Sequence, residues 1–505
     1  MAELDRATPV GVVGAGTMGG GIAQVAAVAG HPVRIYDAIP GAADEATATI
    51  RERLARLTEK GRIEPEAALA TSDRLAVAGS IAELRDSGLI VEAVIEDLAI
   101  KRDLLATIEA LCGPETIMAT NTSSLSITDI AAELTRPQRV AGMHFFNPAP
   151  LLPLVEVVAG KATDPEVVDT LVATAAAWGK TPVRCASTPG FIVNRVARPY
   201  YAEAFRLLST GSIDPVTLDA MLREAGGFRM GPCELTDLIG QDVNAAVTRS
   251  VWEAFDHDPR FEPSQLQNAM VAAGRLGRKS GGGFYASTAH PTPATARPRP
   301  RPRQVVVNGA NNPLEALVSR LEGAGVLVRR TRDSGPVRIR PAEGVALQLT
   351  DGSTATELTA AENGEQVFVV DLALDYRSAT RLGVAGPAHA PQDAVAAAIG
   401  CLQATEAAVT VLTDTPGLVV ARTVAMLAAF GADAVDAEVA SAPDVDTAMR
   451  LGVNYPRGPV EWGDAVGWAW IAGILDALAA SEHPQRYRVP EGVAARLDGR
   501  GEPRA

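Results

Sequence analysis

A histidine and a glutamate carry the side chains best suited to acid–base chemistry in this sequence. His144 follows a predicted buried strand over residues 139–143, at the sheet edge where parallel strands bind ligands, and Glu156 stands among valines in LVEVV. An imidazole, with a reference pKa of about 6.5, suits removal of a hydroxyl proton as hydride leaves an alcohol. A carboxylate buried in a strand is costly unless paired. His144 alone is more typical of a core histidine, but paired with Glu156 it indicates a base with a fixed tautomer.

Two further polar stretches are candidates for holding a substrate. The sequence NTSSLSI, residues 121–127, follows a predicted strand over 116–119 and places hydroxyl groups at the same sheet edge. Ser124 or Ser126 could instead cap the next helix, and we expect both roles within this loop. Asn194 lies early in an otherwise apolar predicted helix, where asparagine is a poor helix former.

A glycine-rich turn near the start of the chain has the spacing of a dinucleotide-binding loop. The sequence GAGTMG, residues 14–19, separates a predicted strand over 9–13 from a predicted helix over 17–29. In the G-x-G-x-x-G pattern the first glycine permits a tight turn, the second lets a pyrophosphate approach the backbone, and the third lets helix and strand pack closely. The free N–H groups at the helix start then favour the phosphate.

An aspartate completes this pattern. A second predicted strand over 33–36 ends at Asp37, close to the spacing expected for an acid that binds the adenosine ribose. The same carboxylate would repel a 2′-phosphate, and no arginine follows it directly, so NAD is favoured over NADP. The alternative is a structural glycine turn with a solvated acid.

Strands and helices alternate in the predicted elements that position these residues. This alternation predicts a doubly wound parallel α/β sheet of the Rossmann type. Beyond about residue 189 the pattern changes to helices, predicted over 191–208, 215–224 and 235–255. A stretch rich in Pro, Ala and Arg around 288–303 cannot build a core and is predicted to be an extended, semi-rigid linker.

The helical module occurs twice. TPGFIVNR, residues 188–195, matches TPGLVVAR, residues 415–422, and the same offset of 227 relates Asp219 to Asp446 and Glu234 to Glu461. Ala421 replaces Asn194 in the second copy, which indicates that this copy has no active site. The predicted domains are an NAD-binding domain (1–187), a helical domain (188–286), the linker (287–304), a small α/β region of unknown role with no second dinucleotide-binding motif (305–410), and a second, degenerate helical domain (411–505).

Composition excludes several classes of protein. The 505 residues carry a formal net charge of −14, which disfavours nucleic-acid binding, and four scattered cysteines indicate neither a zinc site nor a disulfide framework. Residues 10–30 are uncharged, but their glycines argue against a membrane helix, and the acid-rich start does not resemble a signal peptide. We therefore expect a soluble cytoplasmic protein without a metal or a membrane partner.

Five stretches together resemble the 3-hydroxyacyl-CoA dehydrogenases over residues 8–286. They are GAGTMGGGIAQ, NTSSLSI, HFFNPAP with LVEVV, TPGFIVNR and LGRKSGGGFY. The length, the linker and the second helical module resemble the bacterial branch that oxidises 3-hydroxyadipyl-CoA in phenylacetate degradation. So do RPYYAEAFRLL, GGFRMGPCELTDLIG and LGVNYPRGPVEWG.

The resemblance implies NAD-dependent oxidation of an (S)-3-hydroxyacyl-CoA to the 3-oxoacyl-CoA, with 3-hydroxyadipyl-CoA as the expected substrate. It makes His144 the general base and Glu156 its partner, while Ser123 and Asn194 hydrogen-bond the substrate. Cofactor-binding positions by pattern or resemblance are Gly14, Gly16, Thr17, Met18, Gly19, Asp37, Glu96, Lys101, Ser123, Asn147 and Lys279. The alternatives are a 3-hydroxybutyryl-CoA dehydrogenase and, from another class, a non-catalytic NAD-binding scaffold.

Two expectations concern other contacts. The predicted helix over 46–60, with Arg51, Arg53, Arg56 and Lys60, corresponds to the part of the family that contacts CoA, and a solvated charged face is the alternative. Short family members pair their helical domains in a dimer. We therefore expect the second helical copy to pack on the first as an intrachain pseudo-dimer, with a homo-oligomer as a further level of assembly.

Overall fold

The computed structural model describes residues 3–286, 292–310, 312–331, 335–362 and 364–499. The chain divides into two compact units. The first contains Met1–Arg195 and Ala437–Val453, and the second contains Val196–Asp436 and Asn454–Ala505.

Strands and helices alternate at the start of the chain, as predicted. They are β1 (Val10–Val13), α1 (Thr17–Ala29), β2 (Val33–Tyr36), α2 (Ala42–Glu59), α3 (Pro65–Asp73), β3 (Leu75–Val77), β4 (Leu89–Glu92), α4 (Leu98–Leu111), β5 (Ile117–Thr120), α5 (Ile127–Ala131), β6 (Val140–Phe145), β7 (Leu154–Ala159), α6 (Pro165–Ala177), β8 (Thr181–Ala186) and α7 (Val193–Val196).

The eight strands form one sheet in the order β3-β2-β1-β4-β5-β6-β7-β8. Neighbouring strands run parallel except β6 and β7, which are antiparallel. Strands β1, β4, β5 and β6 are buried along their whole length, because helices cover both faces of such a sheet. The Rossmann-type α/β fold class is confirmed. The strand predicted over 139–143 extends to Phe145, so His144 lies inside it rather than after it.

A helical region follows, with α8 (Arg198–Ser209), α9 (Pro215–Ala220), α10 (Pro232–Ile239), α11 (Gln241–Ala254) and α12 (Gln265–Ala272). The single helix predicted over 235–255 is wrong, because the chain breaks at Gly240. Its φ of 106° is a conformation that residues with a Cβ rarely adopt. The break recurs at Gly467, with φ of 94°, in the second copy. The helix predicted over 191–208 is likewise interrupted, at Ala197, just before Pro199.

The next region contains β9 (Gln304–Asn308), α13 (Leu314–Gly323), β10 (Leu327–Arg330), β11 (Arg338–Ala342), β12 (Val345–Leu349), α14 (Ala355–Ala361), β13 (Gln366–Val370), β14 (Arg381–Ala385), α15 (Gln392–Gln403) and β15 (Ala408–Val411). They build a mixed seven-stranded sheet in the order β10-β9-β11-β12-β13-β14-β15. From residue 292 the linker forms neither helix nor strand before β9, and it is hydrogen-bonded to this sheet, since Ala296 N–H donates to the Val409 carbonyl at 2.8 Å. Its first residues, 287–291, lie outside the described residues.

The second helical copy comprises α16 (Val420–Asp436), α17 (Ala442–Gly452), α18 (Pro459–Val466), α19 (Trp468–Ser481) and α20 (Glu491–Leu497). Helix α17 belongs to the first unit, where it packs against β7 and β8. In the described part of the chain no single helix is long and apolar enough to cross a membrane. Only α18 and α19 taken together pass on length and composition, and they are bent by 99°.

A buried ion network joins the two helical copies inside the second unit, where α16 packs against α8. Arg422 Nε lies 2.9 Å from Glu203 Oε2, and both side chains are almost completely buried. The same guanidinium donates to both carboxylate oxygens of Glu482, and the Tyr487 hydroxyl donates to Glu203 at 3.0 Å. Every charge in the network therefore has a partner, which is the condition for tolerating buried ions.

We predict that Arg422→Met lowers the free energy of unfolding by about 3 kcal/mol. Buried Glu203 would keep only Arg206 as a counterion, and Glu482 would lose both of its hydrogen bonds to the guanidinium. Arg330→Met is the matched control. It removes an arginine from a half-exposed pair with Glu315, and about 0–1 kcal/mol is expected. Urea unfolding followed by circular dichroism measures both. Equal losses in the two variants would contradict the importance of the network.

Candidate active site

The centre of the site is a buried histidine–glutamate pair. His144 and Glu156 stand directly opposite each other on the antiparallel strands β6 and β7, and His144 Nδ1 lies 2.6 Å from Glu156 Oε2. Glu156 is fully buried and His144 is 6% exposed. The second carboxylate oxygen of Glu156 accepts hydrogen bonds from the backbone N–H groups of Ile192 and Val193, at 3.0 and 2.9 Å. Both oxygens of the carboxylate therefore have hydrogen-bond partners. Because Oε2 can only accept a hydrogen bond, the proton of the neutral imidazole lies on Nδ1.

This assignment leaves Nε2 of His144 as a proton acceptor. The rings of Phe146 and Phe191 lie beside the imidazole, with centroids 4.6 and 5.8 Å away. They restrict its rotation, so that a base with one free nitrogen is held in one orientation.

Glu96 organises the loop that carries Ser123. Its Oε1 accepts hydrogen bonds from the hydroxyl of Thr122 at 2.7 Å and from the backbone N–H groups of Ser123 and Ser124 at 2.9 and 3.0 Å. Burial opposes ionisation, but these hydrogen bonds and the charge of Lys101 hold the pKa of Glu96 below its ordinary value. Ser126 accepts a hydrogen bond from Asp129 N–H and caps α5, which confirms the predicted capping role in this loop.

Lys101 is buried inside the protein, whereas a residue in direct contact with the cofactor would be open to the cofactor site. It is 1% exposed, and its Nζ lies 2.6 Å from Glu92 Oε1 and 3.4 Å from Glu96 Oε2. Glu92 is itself fully buried and also accepts a hydrogen bond from Thr120. Sequence reasoning missed Glu92, although an acid ending the apolar strand LIVE is the same signal that identified Glu156. Lys101 thus positions Glu96 from inside the protein.

The remaining candidates are distributed over both units. Asn194 Nδ2 lies 3.4 Å from the carbonyl of Ser123, so the structure brings these two residues together. Asn147 is exposed in the turn that follows β6. Lys279 lies in the second unit, where its Nζ is 2.6 Å from Asp242 Oδ1.

The glycine-rich turn has the geometry of a phosphate cradle. Gly14 has a φ of 98°, and a Cβ there would lie 2.6 Å from the carbonyl oxygen of Ala93. A Cβ on Gly19 would lie 1.7 Å from the carbonyl oxygen of Gly14, which explains the close approach of α1 to β1. Around Gly16, by contrast, nothing lies within 4 Å. Its backbone is open to a ligand, while Thr17 and Met18 begin α1 directly after it.

A cavity of about 370 Å³ adjoins this turn. It is lined by Gly16 and Asp37 and, from α2, by Arg53. Asp37 Oδ2 accepts a hydrogen bond from Ala15 N–H at 2.7 Å, and Oδ1 accepts one from Ile39 N–H at 2.8 Å. The acid therefore joins the loop to the end of β2 while it faces the cavity. Of the four basic residues predicted to contact CoA, Arg53 is the one that lines this cavity.

The correspondence at the offset of 227 extends from the second helical copy into the sheet region before it, and there the histidine and the glutamate are both replaced. At the offset of 227, His144 corresponds to Asp371, and Glu156 corresponds to Gly383. Strands β13 and β14 keep the antiparallel pairing, with Asp371 N–H donating to the Gly383 carbonyl. Asp371 accepts hydrogen bonds from the N–H groups of Val419 and Val420, which in the first copy go to Glu156. The acid has taken over the cap of the following helix, and no imidazole remains.

Comparison with known proteins assigns families to most of the chain. The NAD-binding domain of 3-hydroxyacyl-CoA dehydrogenase matches residues 9–188, and the C-terminal domain of the same family matches twice, over 190–287 and 417–500. The reduced Rossmann-fold domain of 3-hydroxybutyryl-CoA dehydrogenase matches residues 347–416.

Similar proteins fall into a full-length and a half-length group. The chain is 44% identical to 3-hydroxyadipyl-CoA dehydrogenase of Escherichia coli K12, over 95% of both chains. A crystal structure of 3-hydroxybutyryl-CoA dehydrogenase from E. coli K12 matches with a TM-score of 0.89 and 42% identity, over 98% of this chain and 99% of that one. A probable 3-hydroxybutyryl-CoA dehydrogenase of Bacillus subtilis is 40% identical over 95% of its own length but 54% of this chain.

We predict that Asp37→Ser weakens NAD⁺ binding by about 10–100-fold, because hydrogen bonds to a charged acceptor contribute about 1.5–3 kcal/mol. Loss of the negative charge should also narrow the discrimination against NADP⁺. Asp44→Ser removes an exposed aspartate from α2 and serves as the control with unchanged affinity. Fluorescence titration with both dinucleotides measures the effect. Unchanged NAD⁺ affinity in Asp37→Ser would exclude a ribose contact.

Proposed function

The chain belongs to the 3-hydroxyacyl-CoA dehydrogenase family, and we propose that its substrate is the dicarboxylyl thioester (S)-3-hydroxyadipyl-CoA. The protein is an NAD-dependent oxidoreductase of this family. The similarity to the E. coli 3-hydroxyadipyl-CoA dehydrogenase supports the proposed substrate, because it extends over both helical copies and the region between them. The observation that carries the reaction type is the His144–Glu156 pair.

In the proposed reaction Nε2 of His144 takes the proton of the 3-hydroxyl group. Glu156 holds the imidazole in its tautomer and stabilises the imidazolium that forms. When bound, NAD⁺ would supply the acceptor for the hydride that leaves carbon 3. Ser123 and Asn194 bind the hydroxyl and the thioester carbonyl, and their proximity in the structure supports this assignment.

The cofactor is held in this proposal by the glycine turn, Asp37 and Asn147, with Lys279 as a further contact. Glu96 acts both on the cofactor and on the Ser123 loop. Lys101 acts through Glu96, because its ammonium group is buried against two carboxylates.

We also propose that the second helical copy serves the first as a built-in partner, an intrachain pseudo-dimer, and that the enzyme works in the cytoplasm. The contacts between α16 and α8 support the first point. We keep the domain limits predicted from the sequence as part of this proposal. It also includes assembly of the whole chain into a homo-oligomer. A buried interface between copies explains why the second one is retained without catalytic residues.

Oxidation of 3-hydroxybutyryl-CoA is the second candidate function, favoured by the name of the E. coli crystal structure. Formation of NADH with purified protein distinguishes the two substrates. We expect kcat/KM for (S)-3-hydroxyadipyl-CoA to exceed that for (S)-3-hydroxybutyryl-CoA by at least about tenfold, the effect of one good interaction of 1.4 kcal/mol. A preference for the butyryl substrate would keep the mechanism and reject the proposed substrate. Activity with neither would favour a non-catalytic scaffold.

We predict that His144→Ala lowers turnover by about 10²–10⁴-fold, the usual contribution of a positioned acid or base. NAD⁺ affinity should stay unchanged, since the glycine-rich turn and Asp37 follow β1 and β2, not the strand of His144. His389→Ala, at an exposed histidine, is the matched control. Stopped-flow absorbance of NADH and a parallel NAD⁺ titration separate chemistry from binding. Near-normal turnover in His144→Ala would remove the histidine from its role.

A further inference from the structure

Helix α17 comes from the second helical copy but lies in the first unit, together with the catalytic pair. It packs against β7 and β8, and Ala186 N–H at the end of β8 donates to the carbonyl of Val439, just before the helix, at 2.8 Å. At the offset of 227 this helix corresponds to residues 215–225 of the first copy, whose last turn packs against β14 of the second sheet. Each helical copy therefore supplies one helix to the sheet that belongs to the other.

The end of α17 covers the face of β7 that carries Glu156. Alternate residues of a strand share a face, so Leu154 and Glu156 point to the same side of the sheet. A Cβ on Gly452, the last residue of α17, would lie 2.7 Å from Leu154 Cδ2. The second copy thus contacts the neighbour of the catalytic acid on that face.

Two further neighbours of Gly452 hold the catalytic pair itself. The same Cβ would lie 3.0 Å from Val193 Cγ2 and 3.7 Å from Phe146 Cε1. The backbone N–H of Val193 donates to Glu156 at 2.9 Å, and the ring of Phe146 lies beside the imidazole of His144. Gly452 therefore contacts one residue that binds the acid and another that orients the base.

This glycine is required by space and not by backbone conformation. Gly452 ends a regular helix with a negative φ, and alanine would be the better helix former there. A Cβ would, however, come closer to Leu154 and Val193 than the about 3.5–4.0 Å that carbon atoms keep. The end of Leu154 can rotate away, whereas β-branched Val193 is stiff at χ1, so its backbone would have to move. The corresponding residue of the first copy, Ala225, does carry a Cβ, and the sheet it serves has no acid–base pair.

We propose that Gly452 is a positioning residue for the proposed reaction. By lacking a side chain it lets α17 pack closely against Val193 and Phe146, and this packing holds the His144–Glu156 pair in its reactive geometry. The inference rests on the proposed function and gives the second helical copy a part in catalysis by the first.

The test adds one methyl group at this position and measures chemistry separately from binding. Because a misplacement of about 1 Å can slow a reaction about 100-fold, we expect Gly452→Ala to lower the single-turnover rate of NADH formation by about 10–100-fold. The full-length enzyme is assayed with whichever of (S)-3-hydroxyadipyl-CoA and (S)-3-hydroxybutyryl-CoA the wild type oxidises faster. KM and NAD⁺ affinity should stay close to the wild-type values, since the glycine-rich turn follows β1.

A second substitution tests the route through Val193. Val193→Ala removes the methyl groups that the new Cβ would meet but keeps the N–H that binds Glu156, so Gly452→Ala/Val193→Ala should regain most of the lost rate. Ala225→Val is the matched control, because it adds bulk at the equivalent position against the sheet without a catalytic pair, and its rate should equal that of the wild type. Gly452 lies at a partly exposed helix end, so one methyl group is compatible with folding, which urea unfolding checks for each variant.

The outcomes separate this inference from the proposed function. A wild-type enzyme that oxidises neither substrate would reject the proposed function, and the inference with it. An active wild type together with an unchanged rate in Gly452→Ala would overturn the inference alone. An equal loss in Ala225→Val, or no recovery in the double variant, would also overturn it, since the loss would then reflect general damage to the packing of α17.

Discussion

The buried carboxylate of Glu156 is the interaction on which the site depends. An anion inside a sheet is tolerated only when each oxygen has donors, and here one oxygen faces the imidazole of His144 and the other faces the N–H groups of Ile192 and Val193. The same group therefore orients the base and anchors the start of α7. Asn194 follows Val193 directly, so anchoring that turn also positions a substrate-binding side chain.

In the second copy a different residue accepts the hydrogen bonds from the buried N–H groups at the start of the helix. A buried acid still caps the helix start, but it is Asp371, directly after the strand that corresponds to that of His144. Burial raises the pKa of Asp371 to about 6, although backbone hydrogen bonds oppose the shift. The helix cap is retained while the acid–base pair is lost, because Asp371 and Gly383 stand where the first copy has His144 and Glu156. The requirement to anchor a helix in the core is thus separable from the requirement for catalysis.

Internal ion networks extend this principle. Lys101 lies between Glu92 and Glu96 and links β4, α4 and the Ser123 loop, whereas Arg422 links the two helical copies. In both networks each buried charge has a partner within the protein.

Sequence alone determined the features that depend on local spacing and residue type. The glycine turn followed by Asp37, the alternating strands and helices and the 227-residue repeat are properties of short segments or of a fixed offset, and they predicted the fold class. It also selected His144 and Glu156, because a buried acid requires a partner. The break at Gly240, the opposition of His144 and Glu156 across an antiparallel pair, and the internal position of Lys101 were decided only by the tertiary structure. Strand register, backbone conformation at a single glycine and the pairing of buried charges depend on segments far apart in the chain, and local pattern does not encode them.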